Sequence, residues 1–562
     1  MKYDDHNVDL AALWLDIAAD DRGSIRVHCE MRNRVVKLRY GKLVTAGCLA
    51  AELLQARGVR PRQRVLLCGQ NSPEFVLAWV GLSLLGAVPV PLPPSVTMAG
   101  DDSFANRVAP LLPHHQHFVC RREDRDRCSG CAGADAVEFI DICAAMGPLI
   151  EGLERGQPVL QGALDSRLEL LHTLGADDEA FIQYTSGSTS TPKGIVVSYR
   201  NILANTTAIH RGNGAVAGRD CYLTWLPVYH DYGLVGNFLS ALFNRVNLVM
   251  VPPIYFVKRP LRFMALVVEY RANFMCMPNF GLEMILKALE IKGAAPGSLD
   301  LSSLRWWSVG AEPVSADTLE RVSEQLAPFG LGAGVLSPSY GLAEATVGVS
   351  ISLPGELHRI HHIGDRRLVG NGPLMDGFEM QLRDLDSSGA GRLFLRGDSM
   401  ARHAYIDGVK QRICDDGGYV DTKDIACLRD GELLVCGRAD EMFTIRGENY
   451  FPYDIENVVR RVSPLGARRV ACFGVCREDG SGPRVVVLYE SKNTGREFHL
   501  GMQSRLRELI ISQTGLPVDE IYAVPARSIP VTTSGKVQRK RAANLYRQGH
   551  FARAAIVCDA TA

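Results

Sequence analysis

The sequence predicts an α/β protein: a large N-terminal domain of flanked parallel sheets plus a β-rich subdomain, then a small C-terminal α+β domain on a hinge. Three observations lead there. The chain has 562 residues, too many for one hydrophobic core, so two or more domains are expected. Strand-like and helix-like patterns alternate as far as Leu326, the rhythm of a parallel sheet covered by helices. After Gly372 the rhythm changes to short strands separated by turn residues.

The elements follow in order. Leu43, Cys48, Leu49, Leu53 and Leu54 fall on one side of a helix over 43–57. Arg64–Cys68 reads as a buried strand, 75–85 as a helix beginning near Pro73, and Val88–Leu92 as another strand. The apolar stretch 75–91 is broken by Gly81, Gly86, Pro89 and Pro91, so it falls short of a membrane span. A strand over 180–184 and a helix from Tyr199 come next. The rhythm continues at 201–208, 248–252, Pro260–Tyr270, 272–277 and Ala316–Leu326. The β-rich part holds strands over 378–385, 391–396, 419–428 and 433–437. In the tail a helix opens near Tyr453, where Asp454 suits the positive end of the helix dipole. Strands over 470–475 and 485–489 and a helix over 503–514 complete it. The expected domains are 1–437 and 441–562, with a hinge near 438–440.

Composition narrows the class. Apolar residues make up 46% and charged residues 22%, close to a soluble globular average. Lys+Arg and Asp+Glu are both 62, which argues against a dedicated nucleic-acid binder. The first residues show no apolar core after a positive start, so no signal peptide is read and a cytoplasmic location is expected. Fifteen scattered cysteines read as reduced, mostly buried thiols. His114, His115, His117, Cys120, Cys128 and Cys131 crowd together with one Cys-x-x-Cys. A second tight ligand pair is missing, so packing is preferred to a zinc site. A monomer or homodimer is expected.

The chemistry centres on residues 184–194. Gly187 permits a tight backbone path. The hydroxyls of Thr185, Ser186, Ser188 and Thr189 can donate to anionic oxygens, and Lys193 adds positive charge. Such a loop can surround a polyphosphate. It is not the Gly-Lys-Ser/Thr loop of nucleotide triphosphatases, because Lys193 precedes Gly194. A Ser/Thr-rich linker is the plainer reading, but linkers rarely sit between a strand and a helix.

This segment resembles the phosphate loop of the acyl-adenylating superfamily, which includes acyl-CoA synthetases, luciferase and peptide-synthetase adenylation domains. Segments 225–234, 310–313, 340–346, 419–424, 437–440 and 533–536 resemble that family's other motifs in the same order. The likeness implies ATP and Mg²⁺ as cofactors and a carboxylic acid as substrate. It implies an adenine-binding turn at Gly310, Ala311, Glu312 and Pro313, with Tyr340 and Gly341 against the base. It further implies Mg²⁺ on Glu344 and Thr189, ribose on Asp424 and Arg438, and a hinge at Asp440. Lys536, His230, Glu344 and Lys193 are the implied catalytic groups. The implied acyl pocket holds Asp231, Asn237, Cys276, Met277, Asn279 and Phe280. The small domain would rotate about Asp440 between half-reactions.

Within the superfamily, His230 with Asp231, and the segments 278–280, 310–314, 341–346 and 529–539, look most like the fatty acyl-AMP ligases. Those enzymes pass the acyl group to the phosphopantetheine thiol of an acyl carrier protein. Three readings stay open beside this one: ligation to free CoA, amino-acid activation, and nucleotide binding without turnover. Only 26 positions separate Glu344 from Gly370, and the insertion usual in fatty acyl-AMP ligases is not identified there. Ser190, Arg392 and Lys423 depart from the usual motifs. Asn237, where glycine is common, predicts a shorter or more polar acyl tunnel.

Overall fold

Short Val-, Leu- and Trp-rich runs bounded by Gly and Pro form the interior strands of the computed structural model. It describes residues 8–29, 34–98, 101–156, 164–185, 192–293, 299–363, 366–445, 448–462, 469–477, 483–532 and 535–560, with the backbone alone at 101–103, 448, 554 and 557–560. The largest sheet runs, in spatial order, Gly348–Ile351, Leu336–Gly341, Trp306–Val309, Phe274–Met277, Cys221–Thr224, Asn247–Met250, Ser24–Cys29 and Arg34–Arg39. Its six inner strands are parallel and its two edge strands antiparallel. Cys221–Thr224, Phe274–Met277 and Trp306–Val309 are buried at every position. Full burial follows from helices on both faces, and it explains why these strands read as apolar runs rather than alternations.

A second sheet is wholly parallel, in the order Val88–Leu92, Arg64–Cys68, His117–Cys120, Glu138–Asp141. The helix Pro73–Leu84 links its first two strands. Ser72 caps it, accepting from the Phe75 N–H at 3.2 Å, with Pro73 in the first turn. Two antiparallel sheets follow. One joins Glu179–Thr185 and Lys193–Ser198 to His403–Ile406 and Val409–Arg412; the other is Phe378–Arg383, Gly391–Gly397, Val420–Arg429 and Glu432–Arg438. The helix Tyr199–Asn213 opens on a reciprocal Ser198–Asn201 capping box. Asn201 also donates to the Asp398 and Met400 carbonyls, fixing the helix to the β-rich region.

The C-terminal lobe has its own sheet, Val470–Cys476, Pro483–Ser491, Glu520–Pro525 and Val557–Ala560. Two apolar clusters, one around Ile455, Leu506 and Ile510 and one around Val486, Ile529 and Phe551, lie wholly within it. The helix Arg496–Thr514 starts seven residues before the predicted 503, because its first turn is polar. That turn is held by His499, which bonds the Tyr489 hydroxyl (2.9 Å) and the Asn493 carbonyl (2.8 Å). Among the described residues no helix is long and apolar enough to cross a membrane.

Candidate active site

Four adjacent parallel strands end on one side of the large sheet, and the loop after each supplies part of a cleft of about 2320 Å³. Cys221–Thr224 leads to His230 and Asp231, Phe274–Met277 to Asn279 and Phe280, and Trp306–Val309 to residues 310–313. Leu336–Gly341 carries Tyr340 and leads to Glu344. Open parallel sheets place ligands at the carboxyl ends of their strands for this reason. Local backbone is specialised here. A Cβ on Gly341 would overlap the Val347 carbonyl oxygen, which accepts from the Leu342 N–H at 2.9 Å. Ala311 holds φ +68°, a left-handed conformation costly for a residue with a Cβ.

Charges in the cleft are paired across elements. Lys193 bonds Glu344 at 2.9 Å. Asp424 and Arg438 face each other across neighbouring strands, 3.6 Å apart, and the Tyr340 hydroxyl donates to the other oxygen of Asp424. Burial pushes the Asp424 carboxyl up to about 6, against the Arg438 charge and the Tyr340 hydrogen bond. Asp440 accepts from Arg438 at 3.1 Å and from Lys540, on the helix Arg539–Arg547, at 2.9 Å. Burial opposes its charge, but the Lys540 hydrogen bond and the Arg438 charge hold it down at about 2. Lys423 adopts φ +65° and bonds Asp421 at 2.6 Å, while Arg392 reaches the same carboxylate at 2.5 Å.

The C-terminal lobe contributes Lys536. Its backbone is fixed by a turn in which Thr532 N–H donates to the Lys536 carbonyl at 2.8 Å and Lys536 N–H donates to Thr532 Oγ1 at 3.1 Å. Gly535 packs over Phe280, so this turn sits beside the loop that follows Phe274–Met277. Asp231 accepts from His230 Nδ1 at 2.9 Å and from the Tyr232 N–H at 2.8 Å. Burial disfavours its charge, but His230 and the nearby Lys536 ammonium hold it below the usual carboxylate range. Burial raises Glu312, against the Phe280 N–H and the charges of Arg460 and Lys536.

A polar seam holds the lobe against the cleft. Tyr453 donates to the Pro313 carbonyl at 2.7 Å, and Arg461 pairs with Asp317. Arg366 pairs with Asp454 at 2.8 Å, donates to the Cys436 carbonyl at 2.6 Å, and lies over the Phe451 ring. Arg366→Ala is expected to weaken this closure by about 1–2 kcal/mol, roughly a tenfold fall in any rate that needs the closed lobe. ATP–pyrophosphate exchange measures it.

Among the described residues the cleft gathers most of the sequence-predicted positions. Thr185, Lys193, Tyr340, Gly341 and Glu344 line it, as do Ala311, Glu312 and Pro313, and His230, Asp231, Cys276, Asn279 and Phe280. Asp424, Arg438, Asp440 and Lys536 complete the set. Ser186, Gly187, Ser188 and Thr189 lie outside the described residues. Three positions differ from expectation. Asn237 is fully buried, its amide donating to the Tyr232 carbonyl at 2.8 Å within the π-helical turn Leu234–Leu239 and its side chain set against the Cys276 thiol, beneath the lining. Met277 points into the core beside Gly281, and Gly310 lies behind the lining, against Ser339. The histidine and cysteine cluster also disperses. His115 bonds the Leu111 carbonyl, His117 the Arg57 carbonyl, and Cys68 rather than a ring nitrogen meets Asp124. Among the described residues no three such side chains are placed to hold a metal.

Sequence reasoning missed Tyr232, Ser308 and Ser339 as lining residues, and also Arg107. Arg107 is a half-buried guanidinium beside Tyr229 with no carboxylate in reach among the described residues. Only Tyr232 carried a signal, through its place next to His230 and Asp231.

Known proteins bear on this geometry. A family model described as AMP-binding enzyme matches residues 18–405, and one described as Disco-interacting protein 2-like, AMP domain, matches 440–555. A medium-chain fatty-acid acyl-carrier-protein ligase of Moorena producens is 28% identical, covering 88% of this chain and 87% of that protein. A 4-hydroxyphenylalkanoate adenylyltransferase of Mycobacterium marinum is also 28% identical, covering 92% and 87%. A long-chain-fatty-acid AMP ligase of the same organism is 27% identical, covering 92% of each. A solved structure from work on fatty acyl-adenylate ligases of E. coli and L. pneumophila shares the fold. Its TM-score is 0.83 at 23% identity, with 98% of this chain and all of that one covered.

Proposed function

The chain belongs to the AMP-binding enzyme family, whose members are adenylate-forming ligases, and from that premise we propose that it activates a carboxylic acid with ATP and passes the acyl group to a phosphopantetheine thiol. The observation that carries this reading is the convergence of Lys536, Lys193, Glu344, Asp424 and Asp231 on one cleft, with Lys536 arriving from the C-terminal lobe. The acid's carboxylate attacks the α-phosphate of ATP, an acyl-adenylate forms, and pyrophosphate leaves. Lys193, Lys536 and the loop hydroxyls would meet charge developing on the phosphate oxygens. Asp424 would accept from the ribose hydroxyls, with Arg438 beside it. Glu344 supplies the hard oxygen donor that Mg²⁺ takes, and the metal when bound would neutralise phosphate charge. The Lys193–Glu344 pair fits this, since both side chains line the cleft and Lys193 closes the 184–194 loop in sequence.

The division at 438–440 is read as the hinge between a large adenylation domain and a C-terminal lid. Opening requires the Asp440–Lys540 bond and the Arg366–Asp454 pair to break. Amino-acid activation is the weaker alternative, because the Asp231 charge is already balanced by the His230 bond at Oδ1 and the nearby Lys536 ammonium. A carrier-protein acceptor is favoured over CoA by likeness to the Moorena ligase. The deciding experiment offers the purified enzyme ATP, a panel of acids, and both CoA and a phosphopantetheinylated carrier protein. Acid-dependent pyrophosphate release and thioester on the carrier are expected. Thioester on CoA alone would overturn the acceptor, and no acid-dependent release would overturn the activity.

A further inference from the structure

Inward from Asp231 the cleft is bordered by Tyr232, Gly236, Cys276, Ser308 and Ser339. Tyr232 comes from the helical wall and reaches the sheet wall. Its hydroxyl lies 2.8 Å from Ser308 Oγ and 3.1 Å from the Ser308 carbonyl. Ser308 Oγ lies 2.8 Å from Ser339 Oγ, and Ser339 donates to the Val309 carbonyl at 3.3 Å. Gly236, four residues on, leaves the ring its space, for a Cβ there would stand 3.2 Å from the Tyr232 ring.

Tyr232 donates to Ser308, and Ser339 donates to the Val309 carbonyl. With those two protons so placed, the Ser308–Ser339 bond takes its proton from Ser308. In that arrangement each of the three hydroxyls keeps acceptor capacity but no spare proton. Burial keeps the Tyr232 hydroxyl protonated, its pKa well above the ordinary value, and raises the Cys276 thiol beside it to about 12. An alkyl chain laid here would cover these lone pairs without replacing the water they lose. A ligand that brings a proton would satisfy them.

Resting on the adenylation reading above, we infer that the acyl site selects a hydroxyl-bearing carboxylic acid, whose O–H donates to the Tyr232–Ser308–Ser339 network, over the matching unsubstituted acid. Asp231 already bonds His230 through Oδ1 and lies within reach of the Lys536 charge, so its own charge is balanced without a substrate amine. The hydroxyl is therefore read as a neutral donor. Tyr232 and Ser308 are specificity-determining residues on this account, and the chemistry of the adenylation step is untouched by them.

The test is ATP–pyrophosphate exchange with matched acids: hexanoate against 6-hydroxyhexanoate, and 3-phenylpropionate against 3-(4-hydroxyphenyl)propionate, with dodecanoate as the long-chain control. In at least one pair the hydroxylated acid should lead by about tenfold or more in kcat/KM, as expected when a buried polar group would otherwise go unpaired. Tyr232→Phe and Ser308→Ala, each assayed separately, should shrink that ratio to about threefold or less. A purely structural loss would lower both members of a pair together and leave the ratio standing. Unsubstituted acids leading in both pairs, dodecanoate leading over all, or a ratio unmoved in a folded variant would overturn the inference alone. If one variant fails to fold, the other decides. Absence of exchange with every acid would overturn the adenylation reading and this inference with it.

Discussion

Lys536→Ala is expected to lower acid-dependent pyrophosphate exchange by about 10²–10³-fold, the usual consequence of removing one preorganised donor from a site of charge development. ATP affinity, measured by calorimetry, should change by less than about threefold, roughly 0.7 kcal/mol. The separation is expected because the turn that presents Lys536 is held by backbone and Thr532 contacts that alanine keeps. The variant therefore loses the ammonium without losing the loop. That ammonium lies where it influences both Asp231 and Glu312, in the 310–313 turn. On the proposed reading, a group between these two regions would touch the acid and the phosphate at once. Undiminished exchange by the variant would remove Lys536 from the mechanism.

Asp424→Asn is expected to act in opposite directions on binding and on stability. Asparagine cannot supply two carboxylate oxygens to a ribose, so KM for ATP should rise by about 10-fold or more, in line with a hydrogen bond to a charged group. The unliganded protein should become more stable. The folded carboxyl titrates at about 6 against an ordinary 3.8, so the native state binds this proton more tightly than the unfolded chain does. Wild-type stability from this group is thus fully present below about 3.8, falls as pH rises through 6, and stays lost above it. About two pKa units correspond to roughly 3 kcal/mol, and an amide that suits the Tyr340 and Arg438 donors less well than a carboxyl reduces the gain to roughly 1–2 kcal/mol. Denaturation at pH 7.5 should place the variant above wild type, with the gap closing near pH 4. A variant less stable than wild type at pH 7.5 would refute the assignment of Asp424 as a burdened, functional carboxylate.

Much of the fold could be read in advance where punctuation was strong. Arg64–Cys68, Val88–Leu92, Pro260–Tyr270 and Ala316–Leu326 occupy the predicted spans, each bounded by Pro, Gly or a capping serine. The hairpin Ile360–Ile363 with Arg366–Val369, and the strands His403–Ile406 and Val409–Arg412, escaped notice. They are short, rich in His and Arg, and half to fully exposed, so neither apolar runs nor clean alternation mark them. That hairpin supplies Arg366, and with it the seam to the lobe. Site residues divided similarly. Motif residues such as Glu344 and Asp424 were visible as local strings. Ser308 and Ser339 were not, because their meaning arises from a contact across 31 positions. Asn237 lies beneath the lining rather than in it, because the π-helical turn carries its side chain inward against Cys276.

The four strands whose ends build the cleft have a practical consequence for redesign. Cys221–Thr224, Phe274–Met277, Trp306–Val309 and Leu336–Gly341 are neighbours in one sheet, and each delivers its chemistry through the loop that follows it. Strand positions such as Ser308 and Ser339 also face the cleft, so the sheet is both platform and lining. Exchanging a following loop would alter the cleft while leaving the strand beneath it in place. Retargeting through the loops and retargeting through the strands are therefore separate routes with different risks to folding.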